Sequence, residues 1–174
     1  MDDQILITDN RYNRTYQALS NLYLNCRNMQ EDEVIKAFRN TDRLAHAKEF
    51  GTISMSGPRR SGHTTSIARL LNNLTGQWVV MDLNVAMSAR KTKIFIPYLD
   101  KHNIVKYTAN NITTENLSVD FISINQIDKM RGVQIDGIIV DCAYFVKRKQ
   151  REELYSTCLP CMQFKNYVFF MFIG

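Results

Sequence analysis

The chain has 174 residues, a length that fits one domain with a sizeable core. Hydrophobic residues make up 45% and charged residues 22%, with three prolines and seven glycines, which excludes a disordered, collagenous or low-complexity chain. The net charge of +5 and a pI near 9.1 favour encounters with nucleic acid or another anionic surface, through an attraction that salt screens.

In chain order, MDDQILITDNRYNR lacks the basic start and apolar core of a secretion signal. No apolar run reaches the ~20 residues of a membrane span. These features predict a cytoplasmic protein without a membrane partner, in the host cell if the chain is viral. Residues 14–28 place Tyr16, Leu19, Leu22, Tyr23 and Cys26 on one helical stripe, and residues 31–48 form a second, more charged helical segment. From Phe50 strands and helices alternate. Strands are predicted at 52–56, 77–83, 104–108, 120–124, 135–141 and 167–173, and helices at 64–73, 85–100, 127–131 and 147–158. Continuous apolar strands such as Ile138-Ile-Val140 indicate a parallel sheet covered on both faces. The predicted architecture is a three-layer α/β/α sandwich with a mainly parallel sheet over residues 50–174, preceded by an N-terminal helical pair within residues 1–49.

Isolated residues take plain roles. His46 and His102 are expected at the surface, and Trp78 in core or strand-edge packing. Cys158-Leu-Pro-Cys161 has C-x-x-C spacing. It follows a charged helix, whereas a redox pair starts a helix after a strand, and a zinc site needs two further ligands. The two are read as unrelated thiols.

The stretch Ser56-Gly-Pro-Arg-Arg-Ser-Gly-His-Thr-Thr65 lies between a strand and an amphipathic helix and has the outline of a phosphate-binding loop. Such a loop turns backbone N–H groups inward and sets them at a helix N-terminus, where partial positive charge favours an anion. The candidate nucleotide-binding residues are Gly57, Pro58, Arg59, Arg60, Ser61, Gly62, His63, Thr64 and Thr65. His63 stands where a loop of this kind carries lysine, and Arg59 and Arg60 supply permanent positive charge in its stead. Thr64 and Asp141, which ends the apolar run Ile138-Ile-Val-Asp141, are the candidate magnesium ligands. Asp141, Arg59 and Arg60 are the candidate catalytic groups, with ATP and magnesium as the implied cofactors. Lys147, Arg148, Lys149 and Arg151 form a basic cluster that marks a candidate nucleic-acid contact, offset by the neighbouring Glu152 and Glu153.

Gly57-Pro-Arg-Arg-Ser-Gly-His-Thr-Thr65, Trp78-Val-Val-Met81 and Arg131-Gly-Val-Gln-Ile-Asp-Gly-Ile-Ile-Val-Asp-Cys-Ala143 together resemble the ATPase domain of phage large terminase subunits, P-loop NTPases with an additional strand. The resemblance spans residues 50–174. It implies ATP and magnesium binding, a role in or on DNA packaging, a DNA or viral packaging or replication partner, and oligomer formation. Tyr167 to Gly174 falls where the family's coupling strand lies. Family members carry lysine where this chain has His63, and a water-polarising glutamate where it has Cys142. They also continue into a nuclease domain beyond the coupling strand, where this sequence stops. Loss of a general base costs about 10²–10⁴ in rate, so ATP hydrolysis is expected to be weak or absent. The alternatives are a working ATPase with an altered phosphate loop, and a nucleic-acid- or protein-binding module that keeps only the fold.

Overall fold

Short polar signals set where the helices begin, and apolar alternation sets which way the strands face. The computed structural model describes residues 2–58, 61–99, 104–162, 165 and 167–174, with residues 2–11 described by backbone alone. Arg59, Arg60 and His102 lie outside the described residues.

Helix α1 spans Asp2–Gln30, α2 Glu33–Thr41 and α3 Arg43–Glu49. The Asp32 carboxylate caps α2 by accepting from the Val34 and Ile35 amides. Asp42 ends α2 and, by accepting from the Ala45 amide, starts α3, so the second N-terminal segment is two helices. The chain continues through β1 (Thr52–Met55), α4 (His63–Leu70), β2 (Gly76–Asp82) and α5 (Val85–Phe95). It then forms β3 (Ile104–Tyr107), β4 (Asn111–Thr114), β5 (Leu117–Ser123), β6 (Gly137–Asp141), α6 (Arg148–Cys158) and β7 (Phe170–Ile173). Residues 124–130 form two short 3₁₀ segments that meet at a kink at Gln126. Strand β4 is absent from the sequence-based prediction because Asn111-Ile-Thr-Thr114 holds one apolar residue. Its pairing is enforced from outside, antiparallel to both β3 and β5.

Among the described residues the sheet has seven strands in the order β1-β7-β6-β2-β5-β4-β3, parallel from β1 through β5. Strand β7 therefore lies between the strand that leads into the glycine loop and the strand that ends in Asp141. Alternate residues enter two separate cores. Trp78, Val80, Ile139, Met171 and Ile173 pack with Leu19 and Tyr23 of α1 and Ile67 and Leu70 of α4. Val79, Met81, Ile138, Val140, Phe170 and Phe172 pack with Leu154, Tyr155 and Cys158 of α6 and Ala47 of α3. This is the three-layer α/β/α sandwich, and each fully buried large apolar side chain contributes about 1.5–3 kcal/mol to it. Trp78 is a core residue, 2% exposed and stacked on Phe169, with its indole N–H donated to the Thr75 carbonyl at 2.9 Å.

The N-terminal helices share the sheet's core. The buried Gln30 amide brackets the backbone entering β7, donating to the Val168 carbonyl at 3.0 Å and accepting from the Val168 amide at 2.9 Å. His46 corrects an expectation. It is fully buried, because α3 turns His46 and Ala47 inward and leaves Leu44 outside. Neither of its ring nitrogens has a hydrogen-bond partner among the described residues. Burial, and then the charges of Arg39 and Arg43, push its pKa down to about 4, so the ring is neutral at pH 7. Cys158 closes α6 with a buried thiol pushed up to about 12 by desolvation, and the Cys161 thiol donates to the Met130 carbonyl at 3.0 Å.

Candidate functional site

Strand β1 delivers the chain into the glycine loop, and α4 leaves it. Gly62 is the N-cap of α4 with φ +84, a left-handed conformation that glycine adopts without penalty. A Cβ there would also meet the Tyr12 ring of α1 at 2.1 Å. Among the described residues no side chain caps α4, which leaves its first amides as donors for a ligand. Helix α1 braces the loop from outside, where the Thr15 hydroxyl donates to the Ser61 carbonyl at 2.8 Å.

His63 turns back into the loop. Its Nε2 lies 2.9 Å from Ser61 Oγ, and a Cβ on Gly57 would come within 3.1 Å of the same nitrogen. Burial lowers the His63 pKa, against the opposing pull of Asp141, so the imidazole is uncharged at pH 7. It occupies space in the loop without supplying the charge of a lysine.

The carboxyl ends of β2 and β6 lie side by side, with Met81 opposite Val140, which brings Asp82 next to Asp141. Both aspartates are 1% exposed. Each spends Oδ1 on the amide that follows it: Leu83 N–H donates to Asp82 at 2.8 Å, and Cys142 N–H donates to Asp141 at 2.9 Å. Each turns Oδ2 toward Lys91 of α5. Lys91 Nζ is 2.9 Å from Asp82 Oδ2, as charge pairing off the hydrogen-bond direction, and it donates to Asp141 Oδ2 in a short ion pair. The Thr64 hydroxyl donates to that same Asp141 oxygen at 2.7 Å. Lys91 is only 4% exposed. Burial pulls its pKa down, but the charges of Asp141 and Asp82 outweigh that and hold it above the ordinary lysine value.

Thr64 and Asp141, the expected magnesium ligands, are thus in contact with each other. Magnesium does not fit the arrangement as it stands, because the oxygens it would use already hold each other and an ammonium ion. Cys142 has φ 62, a left-handed conformation uncommon outside glycine, and lines the same cavity. Burial, together with the charges of Asp141 and Asp82, raises its thiol pKa, which keeps it protonated and unable to act as a base at pH 7.

The cavity over the loop measures about 710 Å³, within the range of small-ligand sites. The described loop residues, Asp141 and Cys142 line it together with Tyr12, Tyr144 and Phe145. Tyr144 is 80% exposed and Phe145 53%. The basic cluster lies elsewhere, at the start of α6. Lys147, Arg148 and Lys149 are exposed, whereas Arg151 lies over the Phe172 ring at 4.6 Å and donates to the Ala143 carbonyl at 3.4 Å. Sequence reasoning missed Asp82 and Lys91. Their signals were a second apolar run ending in an acid, Val79-Val-Met-Asp82, and the helical phase that puts Lys91 on one face with Ser88, Thr92 and Phe95.

The fold and its site define an α/β sandwich with a glycine loop and two acids at the carboxyl edge of the sheet. No protein-family model matches the chain, and no curated protein matches it. Among solved structures, a single-residue variant of the large terminase ATPase domain of Thermus phage P74-26 is similar, at 12% identity and a TM-score of 0.47, over 76% of this chain and 63% of that one. The unsubstituted domain is similar at 12% identity and a TM-score of 0.43, over 69% of this chain and 58% of that one. The chain spans less than two thirds of the length of each.

Proposed function

We propose that this is a terminase-like P-loop protein of viral type whose loop retains affinity for a nucleotide phosphate and whose hydrolytic equipment is lost. One observation carries the reading: the two positions that need a cation and a base hold a neutral His63, turned onto Ser61 Oγ, and a protonated Cys142, beside the left-handed Gly62 that opens α4. Arg59 and Arg60 are the permanently charged residues of the loop sequence and the source of positive charge in this reading. The protein acts in or on DNA packaging or another DNA-related viral process, through DNA or a viral packaging or replication partner. Its net charge of +5 and the exposed Lys147, Arg148 and Lys149 support a phosphate-backbone contact.

Thr65→Glu tests the loop. Thr65 is the third residue of α4, where a glutamate satisfies the helix's own free amides and complements its dipole. Calorimetry with ATP should show affinity falling by about tenfold or more, with the melting temperature unchanged or slightly raised. Unchanged affinity in Thr65→Glu, or no heat from the parent protein at millimolar ATP, would sink the loop assignment.

A further inference from the structure

Two buried carboxylates side by side require a cation between them, and this protein carries its own. Asp82 and Asp141 arise on separate strands, yet each spends Oδ1 on the next amide and turns Oδ2 to Lys91 Nζ, accepting a hydrogen bond in Asp141 and paired by charge alone in Asp82. The Thr64 hydroxyl completes the same cluster through Asp141 Oδ2. Two carboxylate oxygens and one hydroxyl oxygen converging at the head of a glycine loop form an oxygen donor set suited to a hard divalent cation. The ammonium, carried by Lys91 of α5, faces both carboxylates, with Nζ over the Phe95 ring at 5.9 Å from its centroid.

We infer that the Lys91 ammonium is a built-in substitute for a divalent cation, so that this site takes a phosphate-bearing ligand without a metal. Three consequences follow from charge and space. A divalent ion cannot approach Asp141 Oδ2 without displacing an ammonium that has almost no exposure to solvent. The trio of Lys91, Asp82 and Asp141 carries one net negative charge where a bound divalent ion would leave none, which holds phosphate affinity down. Removal of the ammonium frees the oxygens and creates a metal site.

The inference deepens the reading of the same loop, so metal binding is measured first without nucleotide, using Mn²⁺ alone. By electron paramagnetic resonance, Lys91→Met is expected to bind one Mn²⁺ at least about tenfold more tightly than the parent protein. That binding should disappear when Asp141→Asn is added. Lys91→Met combined with Asp82→Asn removes one buried carboxylate along with the ammonium. It keeps the test open should the single variant not fold, and it too should bind Mn²⁺ more tightly than the parent through Asp141 and Thr64. In the parent protein, any affinity for ATP should be the same in EDTA as in Mg²⁺. Tight Mn²⁺ binding by the parent that Asp141→Asn abolishes would overturn the inference, as would a folded Lys91 variant without Mn²⁺ affinity. Absence of ATP binding alone would overturn only the nucleotide reading and leave the metal result standing.

Discussion

Lys91→Met is expected to cost the fold about 3–5 kcal/mol, the range seen when one partner of a buried ion network is removed. Asp82 and Asp141 are both 1% exposed, and their second oxygens would lose the ammonium they face. Total stability of a domain this size is about 5–15 kcal/mol, so the loss should be plain in a urea titration as a lower midpoint with little change in slope. The cost arises from stranded charge, not from lost packing, and the remedy separates the two. Adding Asp82→Asn and Asp141→Asn to Lys91→Met neutralises the cluster and should recover most of the stability. A loss of under about 1 kcal/mol in the single variant would mean that the cluster is not a tightly coupled buried network.

The second large effect is a dependence on pH centred on His46. Its folded pKa is about 4 against 6.5 for the free side chain, because burial disfavours the charged ring and the charges of Arg39 and Arg43 add to that; among the described residues neither ring nitrogen has a hydrogen-bond partner. Below pH 6.5 the unfolded chain takes up this proton and the folded chain does not, so stability falls as pH falls. The loss continues until about pH 4, where the folded form also protonates, and amounts to roughly 3 kcal/mol. His46→Leu keeps an inward apolar group against Phe50 and removes the titration. Unfolding midpoints of the two proteins across this window should diverge toward acid, with the variant retaining its stability. Parallel curves would show that the ring protonates freely in the folded state.

The layers were legible because they rest on local patterns: continuous apolar runs at β2, β6 and β7, each feeding alternate residues to opposite faces. The loop was legible for the same reason, since Gly57, Gly62, Thr64 and Thr65 stand together between a strand and a helix. Residues that depend on distant partners were not. Strand β4 has little apolar content and exists through pairing with β3 and β5. His46 looks like a surface residue in a charged segment, and only the rotation of α3 buries it. Lys91 stands among Arg90 and Lys93 in a helix that reads as solvated, and its partners are 9 and 50 residues away in sequence. Two apolar strands ending in acids were visible, but their adjacency follows from the strand order. That adjacency gives the site a lysine that serves the acids and not the loop.

The most direct measurement is phosphate release from ATP in the presence of Mg²⁺, compared between the parent protein and Asp141→Ala. With His63 uncharged, Cys142 protonated and the cation position held by Lys91, the two should be indistinguishable and near the uncatalysed background. Turnover of about 1 s⁻¹ or more in the parent, lost in Asp141→Ala, would contradict the account and restore a working ATPase.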